Sequence, residues 1–298
     1  MNLQGWIIYN GNLPGNKFLD FAEWVQEAAA RKTSPTKIYK NNQLLSYLTG
    51  DQLGILQQTN LTLPDYVVFA DKDIYLAKQL ELLGVRVFNT AHAIGVSDDK
   101  IATYQYLAQQ HLPIPRTIIA PKIFSTGHID AETIQLAIDQ LGFPMILKEA
   151  FGSFGEQVYL IRSKMELFRK IESIQGKAFI FQEFISSSYG VDLRLHVVGN
   201  QVIAAMKRNN AEDFRANVTA GGSMEVYEPT EQEKALAITA TKAIGADFAG
   251  VDLLFGPNNQ PIICEINSNA HIRNMYDCTG INVADAMIDY ILDTLSNE

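Results

Sequence analysis

Cysteine and histidine are scarce in this 298-residue chain, and the scarcity narrows its chemistry. The two cysteines, Cys264 and Cys278, form no CxxC pair, which fits a reducing cytoplasm better than a disulfide framework. The five histidines are scattered, so neither a zinc cage nor a histidine-activated nucleophile is indicated. GxxxxGK(S/T), GxGxxG after the first strand, GxSxG and HExxH are all missing, which sets aside the chemistries those motifs serve. Gly221-Gly222-Ser223 lacks the strand–serine–helix setting of a nucleophilic elbow. No apolar run reaches the length of a membrane span. Met1–Tyr9 lacks the basic start and long apolar core of a signal peptide, so a cytoplasmic location with no membrane partner is expected. Positive charge is also short, with 24 Lys and Arg against 33 Asp and Glu, a net charge of −9. That argues against nucleic acid as a partner, while leaving room for a small anion in a local basic pocket.

What is present is ordinary in bulk, 47% hydrophobic and 19% charged, and long enough to bury two or three subdomain cores. GWIIY at 5–9, TKIY at 36–39, YVVFA at 66–70 and VRVF at 85–88 read as buried strands. They are separated by predicted helices at 17–31, with Phe18, Phe21, Ala22, Val25 and Ala28 or Ala29 as its apolar stripe, and at 74–83. This alternation predicts a small open parallel sheet, whose loops at 10–16 and 71–73 lie where such sheets carry ligands. A helix capped by Ser97 or Asp98 follows, with Lys100 in its first turn. Beyond it an α+β segment is predicted, with strands at 117–120, 144–150, 158–161 and 177–183 and a helix at 131–141. Gly199-Asn200 marks a hairpin between two alternating strands, Thr230-x-x-Glu233 is a capping box, and strands at 249–255 and 261–267 precede a final helix from about 283 to 295.

Three groups of residues carry chemistry. Lys148, on a strand before the glycine-flanked loop FGSFGEQ (151–157), places an ammonium and several backbone N–H groups where a polyphosphate would lie. A plain turn beside one exposed lysine has the same spacing. Arg208 and Arg215 are planar donors suited to carboxylate or phosphoryl oxygens, with the Asn217 amide close behind, and equally suit a solvated surface. Strand alternation puts Glu265 and Asn267 on one face. A turn at 256–260 folds Asp252 back towards them, giving three oxygen donors of the kind Mg²⁺ prefers. Three polar residues on a half-exposed sheet would show the same pattern.

The order of these features resembles the ATP-grasp superfamily, in particular its RimK-like branch of carboxylate–amine ligases, which includes ribosomal-protein glutamate ligase. The resemblance runs from about Ser97 to Ile291 and is weaker before it. It implies an α/β (α+β) ATP-grasp fold: an N-terminal open parallel-sheet domain (1–96), a central lid subdomain (97–182) and a C-terminal ATP and metal subdomain (183–298). It also implies ATP, with two Mg²⁺ or Mn²⁺ ions, as what the chain binds. By position, Lys100 and Lys148 match the ATP-contacting lysines, and Gly152, Ser153, Phe154 and Gly155 match the mobile triphosphate loop. Gln182, Glu183, Phe184 and Ile185 match the adenine hinge, Asp192 the ribose ligand, and Arg215, Ala216 and Asn217 the phosphate grip. Asp252, Glu265 and Asn267 match the metal ligands, and Arg208 and Arg215 the arginines that serve catalysis. The implied reaction joins a small-molecule or peptide carboxylate to an amino-acid-like amine through an acyl phosphate. A small-molecule kinase and a non-catalytic nucleotide-binding regulator of the same fold are the alternatives. Members often assemble as homo-oligomers. The chain departs from the glutamate-ligase pattern after Asn267, where Ser268-Asn269-Ala270-His271-Ile272-Arg273 replaces a small residue followed by Ser-Pro-Gly. Asn269, His271 and Arg273 are the substrate-contact candidates in that stretch.

Overall fold

A computed structural model of the chain describes residues 3–57, 62–123, 127, 129–153, 155–217 and 221–297. The N-terminal part runs β1 (Gly5–Tyr9), α1 (Lys17–Arg31), β2 (Thr36–Lys40), β3 (Leu45–Leu48), β4 (Leu53–Leu56), β5 (Tyr66–Ala70), α2 (Ile74–Leu82) and β6 (Arg86–Phe88). Every side chain of β1 and β5 is buried, because both are inner strands of a parallel sheet ordered β2-β1-β5-β6 and covered on its two faces. The predicted stripe of α1 is what packs beneath them: Phe21, Ala22, Val25, Ala28 and Ala29 are all buried.

Next come α3 (Ala91–Asp98) and α4 (Lys100–Gln109), then β7 (Thr117–Ile119), α5 (Ala131–Leu141), β8 (Met145–Glu149), β9 (Val158–Ile161), α6 (Lys164–Ser173) and β10 (Phe179–Glu183). These strands form an antiparallel sheet ordered β7-β10-β8-β9. The last part holds β11 (Val191–Val198), β12 (Gln201–Asn209), β13 (Ser223–Val226), α7 (Glu231–Ala243), β14 (Phe248–Phe255), β15 (Pro261–Asn267), α8 (Arg273–Thr279) and α9 (Val283–Asn297). Its antiparallel sheet is ordered β13-β12-β11-β14-β15. The capping box forms as predicted: Thr230 Oγ1 accepts from Glu233 N, and Glu233 Oε2 accepts from Thr230 N at 2.7 Å.

The predicted cap at Ser97 or Asp98 is corrected. Two helices meet there, Thr90 caps α3, and Asp99 caps α4 by accepting from Ile101 N and Ala102 N. Ser97 is diverted to β15: its hydroxyl donates to Ile266 O and accepts from Ser268 N, both at 2.9 Å. A hydroxyl that already bridges two backbone groups on another element has no lone pair in position to start a helix. Short elements at 45–56, 164–173, 223–226 and 273–279 were also not anticipated from the sequence.

Asn89 fastens the parallel sheet to the C-terminal sheet. Fully buried, its amide donates to Phe248 O (2.8 Å) and Ser268 O (2.9 Å) and accepts from Asp247 N (2.7 Å) and Phe248 N (3.1 Å). All four hydrogen-bonding positions of one side chain are therefore used. Asn89→Ala leaves these buried backbone groups unpaired and is expected to lower stability by about 3 kcal/mol, read as the urea unfolding midpoint.

Candidate active site

The two antiparallel sheets face each other across a cleft of about 620 Å³, its open mouth included. Lys148 enters from β8, and the β10 exit segment Gln182–Ile185 forms one wall. Phe214, Arg215, Ala216 and Asn217 come from the loop after β12, and Asp192, Asp252 and Glu265 come from the floor. Segments over 100 residues apart in sequence thus bring lysine, arginine, aspartate and glutamate to one place. Gln182–Ile185, Asp192 and Arg215–Asn217, matched separately to adenine, ribose and phosphate, all line this single cleft.

The floor is built from charges. Asp192 and Arg208 are register partners on β11 and β12, Arg194 and Asp252 on β11 and β14, and Asp252 and Glu265 on β14 and β15. Directly opposed residues share a face, so the five side chains form a row across four strands. Arg208 grips Asp192 with two bonds of 2.6 Å and reaches Asp252 at 2.9 Å. Arg194 grips the same Asp252 at 2.7 and 2.6 Å. Burial pushes the Asp252 carboxyl up, but the two guanidiniums outweigh it and hold the group below the usual carboxylate range. Arg208, expected at the reacting phosphoryl group, stands in the same row on the same face of the sheet, bound to Asp192 and Asp252.

Lys148 is buried, and its Nζ donates to the Tyr104 hydroxyl at 3.1 Å with Cys264 Sγ at 3.9 Å. Burial works against its charge, yet the polar atoms around it, with Glu265 beyond, keep it protonated above the usual lysine range. Burial also pushes the Cys264 thiol up to about 11, so at neutral pH it is a neutral neighbour. Tyr104 is itself pinned, donating to Cys264 O at 2.6 Å and lying 3.3 Å from Gln182 Oε1.

Three cations hold the glycine-rich loop. Lys100 Nζ donates to Gly152 O (3.1 Å), Lys72 Nζ to Ser153 Oγ (3.0 Å) and Arg215 Nη1 to Gly155 O (2.6 Å). Gly152 and Gly155 have φ of 141° and 75°, and a Cβ on Gly155 would sit 2.9 Å from Asn217 Nδ2. Glycine is therefore required for so close an approach. Phe154, the remaining residue proposed from this loop, lies outside the described residues.

The donors assigned to metal divide into two kinds. Asp252 is saturated by its arginines. Glu265 meets the Lys100 ammonium at 3.9 Å, and the Asn267 amide is buried with Nδ2 unpartnered among the described residues. Among those residues no three His, Cys, Asp or Glu side chains form a preformed cage. One carboxylate and one amide, with a second carboxylate beside them, still fit Mg²⁺, which is usually held by one or two carboxylates together with substrate phosphates. The three substrate candidates each contact the N-terminal part. Asn269 Nδ2 donates to Asp71 O at 2.7 Å. His271 packs on Phe18, and burial lowers it to about 4. Arg273 pairs with Asp20 and stacks 4.0 Å above Trp24. These three side chains join the C-terminal part to α1 and to the loop after β5.

Residues 97–291 match the model of the RimK-like ATP-grasp domain. The chain belongs to that family. It is 32% identical over 269 residues to human N-acetylaspartylglutamate synthase A, covering 86% of this chain and 67% of that one. It is 34% identical over 224 residues to a probable alpha-L-glutamate ligase of Haemophilus ducreyi, covering 74% and 68%. Among solved structures it is similar to the ATP-grasp ligase PsnB complexed with minimal precursor, with TM-score 0.72, 18% identity and 98% and 99% coverage. It is equally similar to D-alanine–D-alanine ligase of Bacillus anthracis, with TM-score 0.72, 15% identity and 99% and 98% coverage. At these identities the structures establish the common ATP-grasp fold. As a RimK-like protein the chain is an ATP-grasp ligase.

Sequence reasoning gave no role to Tyr104 or to Arg194, although Arg194 is the arginine of a DxR motif. Tyr104 carried no signal, because its contacts lie 44 and 160 residues away. Tyr104→Phe removes the oxygen that orients the Lys148 ammonium and is expected to weaken ATP affinity about tenfold, measured by calorimetric titration, with the fold intact by circular dichroism.

Proposed function

We propose that the chain is an ATP-dependent ligase that joins an amino acid, glutamate or a close analogue, to a carboxylate acceptor through an acyl phosphate. The reading rests on one observation above the rest: Lys148, Arg215, Asp252 and Glu265, from four separate segments, line one cleft. The named relatives supply the substrate class, since glutamate occurs in both names. ATP lies with adenine along Gln182–Ile185, ribose at Asp192, and phosphates between Lys148, Arg215 and the glycine-rich loop.

In the first step a carboxylate oxygen of the acceptor attacks the γ-phosphorus and the bond to the bridging oxygen of ADP breaks. In the second the amine nitrogen attacks the acyl carbon and gives up a proton to solvent, the carbon–oxygen bond breaks, and inorganic phosphate leaves. Lys148 and Arg215 supply preorganised positive charge along the phosphates. Glu265 and Asn267, with Asp252 behind them, would hold two Mg²⁺ or Mn²⁺ ions, whose charge would offset that of the phosphates. Arg208 and Arg194 keep Asp252 ionised and fixed, so their part is positioning. Residues 151–157 shield the acyl phosphate from water, and the oxygens that Lys72, Lys100 and Arg215 now hold are exchanged for phosphate oxygens when ATP enters.

The test is an ADP-release screen of amino acids against candidate acids, with mass detection of product. A ligase releases phosphate only when acid and amine are both present, whereas a kinase needs a single acceptor and gives a phosphorylated product. Glu265→Gln is expected to lower ADP formation at least a thousandfold while leaving the melting temperature unchanged, because Glu265 is outside the arginine–aspartate pairs. Near-normal turnover in that variant would remove Glu265 from the phosphoryl-transfer site.

A further inference from the structure

In the parallel sheet ordered β2-β1-β5-β6 the chain leaves β1 towards β2 on one side and returns to β5 on the other. Strand order therefore reverses at the crevice between the C-terminal ends of β1 and β5, the place where open parallel sheets take their ligands. Asn10 directly follows β1, Asp71 directly follows β5, and the two meet there: Asn10 Nδ2 donates to Asp71 Oδ1 at 3.0 Å. Lys72 N donates to the same oxygen at 2.8 Å. Asp71 is 7% exposed, and its Oδ2 is buried without a hydrogen-bond partner among the described residues. A carboxylate oxygen so placed is costly, and burial pushes the Asp71 carboxyl above its ordinary range.

The acids around it are differently placed. Asp73 caps α2 by accepting from Leu76 N and also accepts from the Asn41 amide. Asp98 pairs with Lys72, and Asp20 with Arg273. Of these four acids Asp71 alone has a buried oxygen without a partner. Its neighbours tie it to the reaction. Lys72, the next residue, donates through Nζ to Ser153 Oγ in the glycine-rich loop. Asn269, two residues past Asn267, donates to Asp71 O at 2.7 Å. Asp71 thus stands between the roof over the phosphates and the edge of the floor. An amino acid brings an amino group that is largely protonated at neutral pH, and an ammonium cannot attack a carbon until it loses a proton.

On the acyl-phosphate reading above, we propose that Asp71 is the general base of the amine step, its Oδ2 receiving the substrate ammonium and taking one proton from it. The N–H bond breaks towards nitrogen, which keeps the electron pair and forms the bond to the acyl carbon. The proton taken rests on Oδ2, the second passes to solvent, and phosphate departs with the electron pair of the carbon–oxygen bond. A carboxyl raised by burial holds a proton better than an exposed one, and an oxygen shut off from water meets no competing donor.

Hydroxylamine separates this step from the rest, because it is a neutral nucleophile at neutral pH and traps acyl phosphates as hydroxamates. With the acid that releases ADP in the screen above, Asp71→Asn is expected to lower ligation of L-glutamate at least about a hundredfold and hydroxamate formation less than about threefold. Both rates are read from one preparation, so their ratio is independent of how much of the variant is folded. If Asp71→Asn gives no folded protein, Asp71→Ser is read by the same ratio. A ratio equal to that of wild type, whether both rates fall together or neither falls, overturns the inference and leaves the ligase reading standing. A wild-type enzyme that forms no hydroxamate from any acid of the screen removes the acyl phosphate itself, and the inference with it.

Discussion

The row of buried charges across the C-terminal sheet is the constraint on which the site depends. Arg208, Asp192 and Asp252 are nearly excluded from solvent, Arg194 is partly exposed, and all four are paired. Burying an ion is costly unless partners and hydrogen bonds replace its water, and removing one partner of such a pair costs about 3–5 kcal/mol. The four charges therefore stand or fall together. Two guanidiniums on one carboxylate keep Asp252 ionised, and that in turn sets the negative edge against which Glu265 is presented. The geometry of the cleft floor follows from charge neutralisation inside the sheet.

The roof obeys a related rule. Lys72, Lys100 and Arg215 lie beside a loop whose own backbone and hydroxyl oxygens satisfy them. Lys72 and Arg215 are partly exposed and Lys100 is buried, and all three bind the loop through single oxygens that a polyanion can replace without breaking a core. The floor is rigid because its charges are paired side chain to side chain, and the roof is exchangeable because its contacts to the loop are single bonds to backbone and hydroxyl oxygens.

Much of the architecture was legible in the sequence, for local reasons. The β1 and β5 runs, the Gly199-Asn200 hairpin, the Thr230–Glu233 box and the stripe of α1 are each written within a few residues of one another. The cleft residues were legible as an ordered series. What was not legible depends on tertiary partners. In Ser97-Asp98-Asp99 three consecutive side chains can cap a helix, and only the approach of β15 decides that Ser97 is used elsewhere. Arg208 reads in the sequence as a lone basic residue, and only its register opposite Asp192 and its reach to Asp252 show which acids hold it. Arg273 and His271 read as polar residues at the mouth of a site, yet Asp20, Trp24 and Phe18, some 250 residues earlier in the chain, claim them.

The central claim is that the cleft activates a carboxylate by giving it the γ-phosphoryl group. Oxygen transfer tests it most directly. An acceptor acid labelled with ¹⁸O in its carboxyl group is incubated with ATP, the amine and enzyme, and the released phosphate is analysed by mass spectrometry. The account predicts that each phosphate released carries one oxygen derived from the carboxylate. Unlabelled phosphate, formed alongside a ligated product, would contradict it.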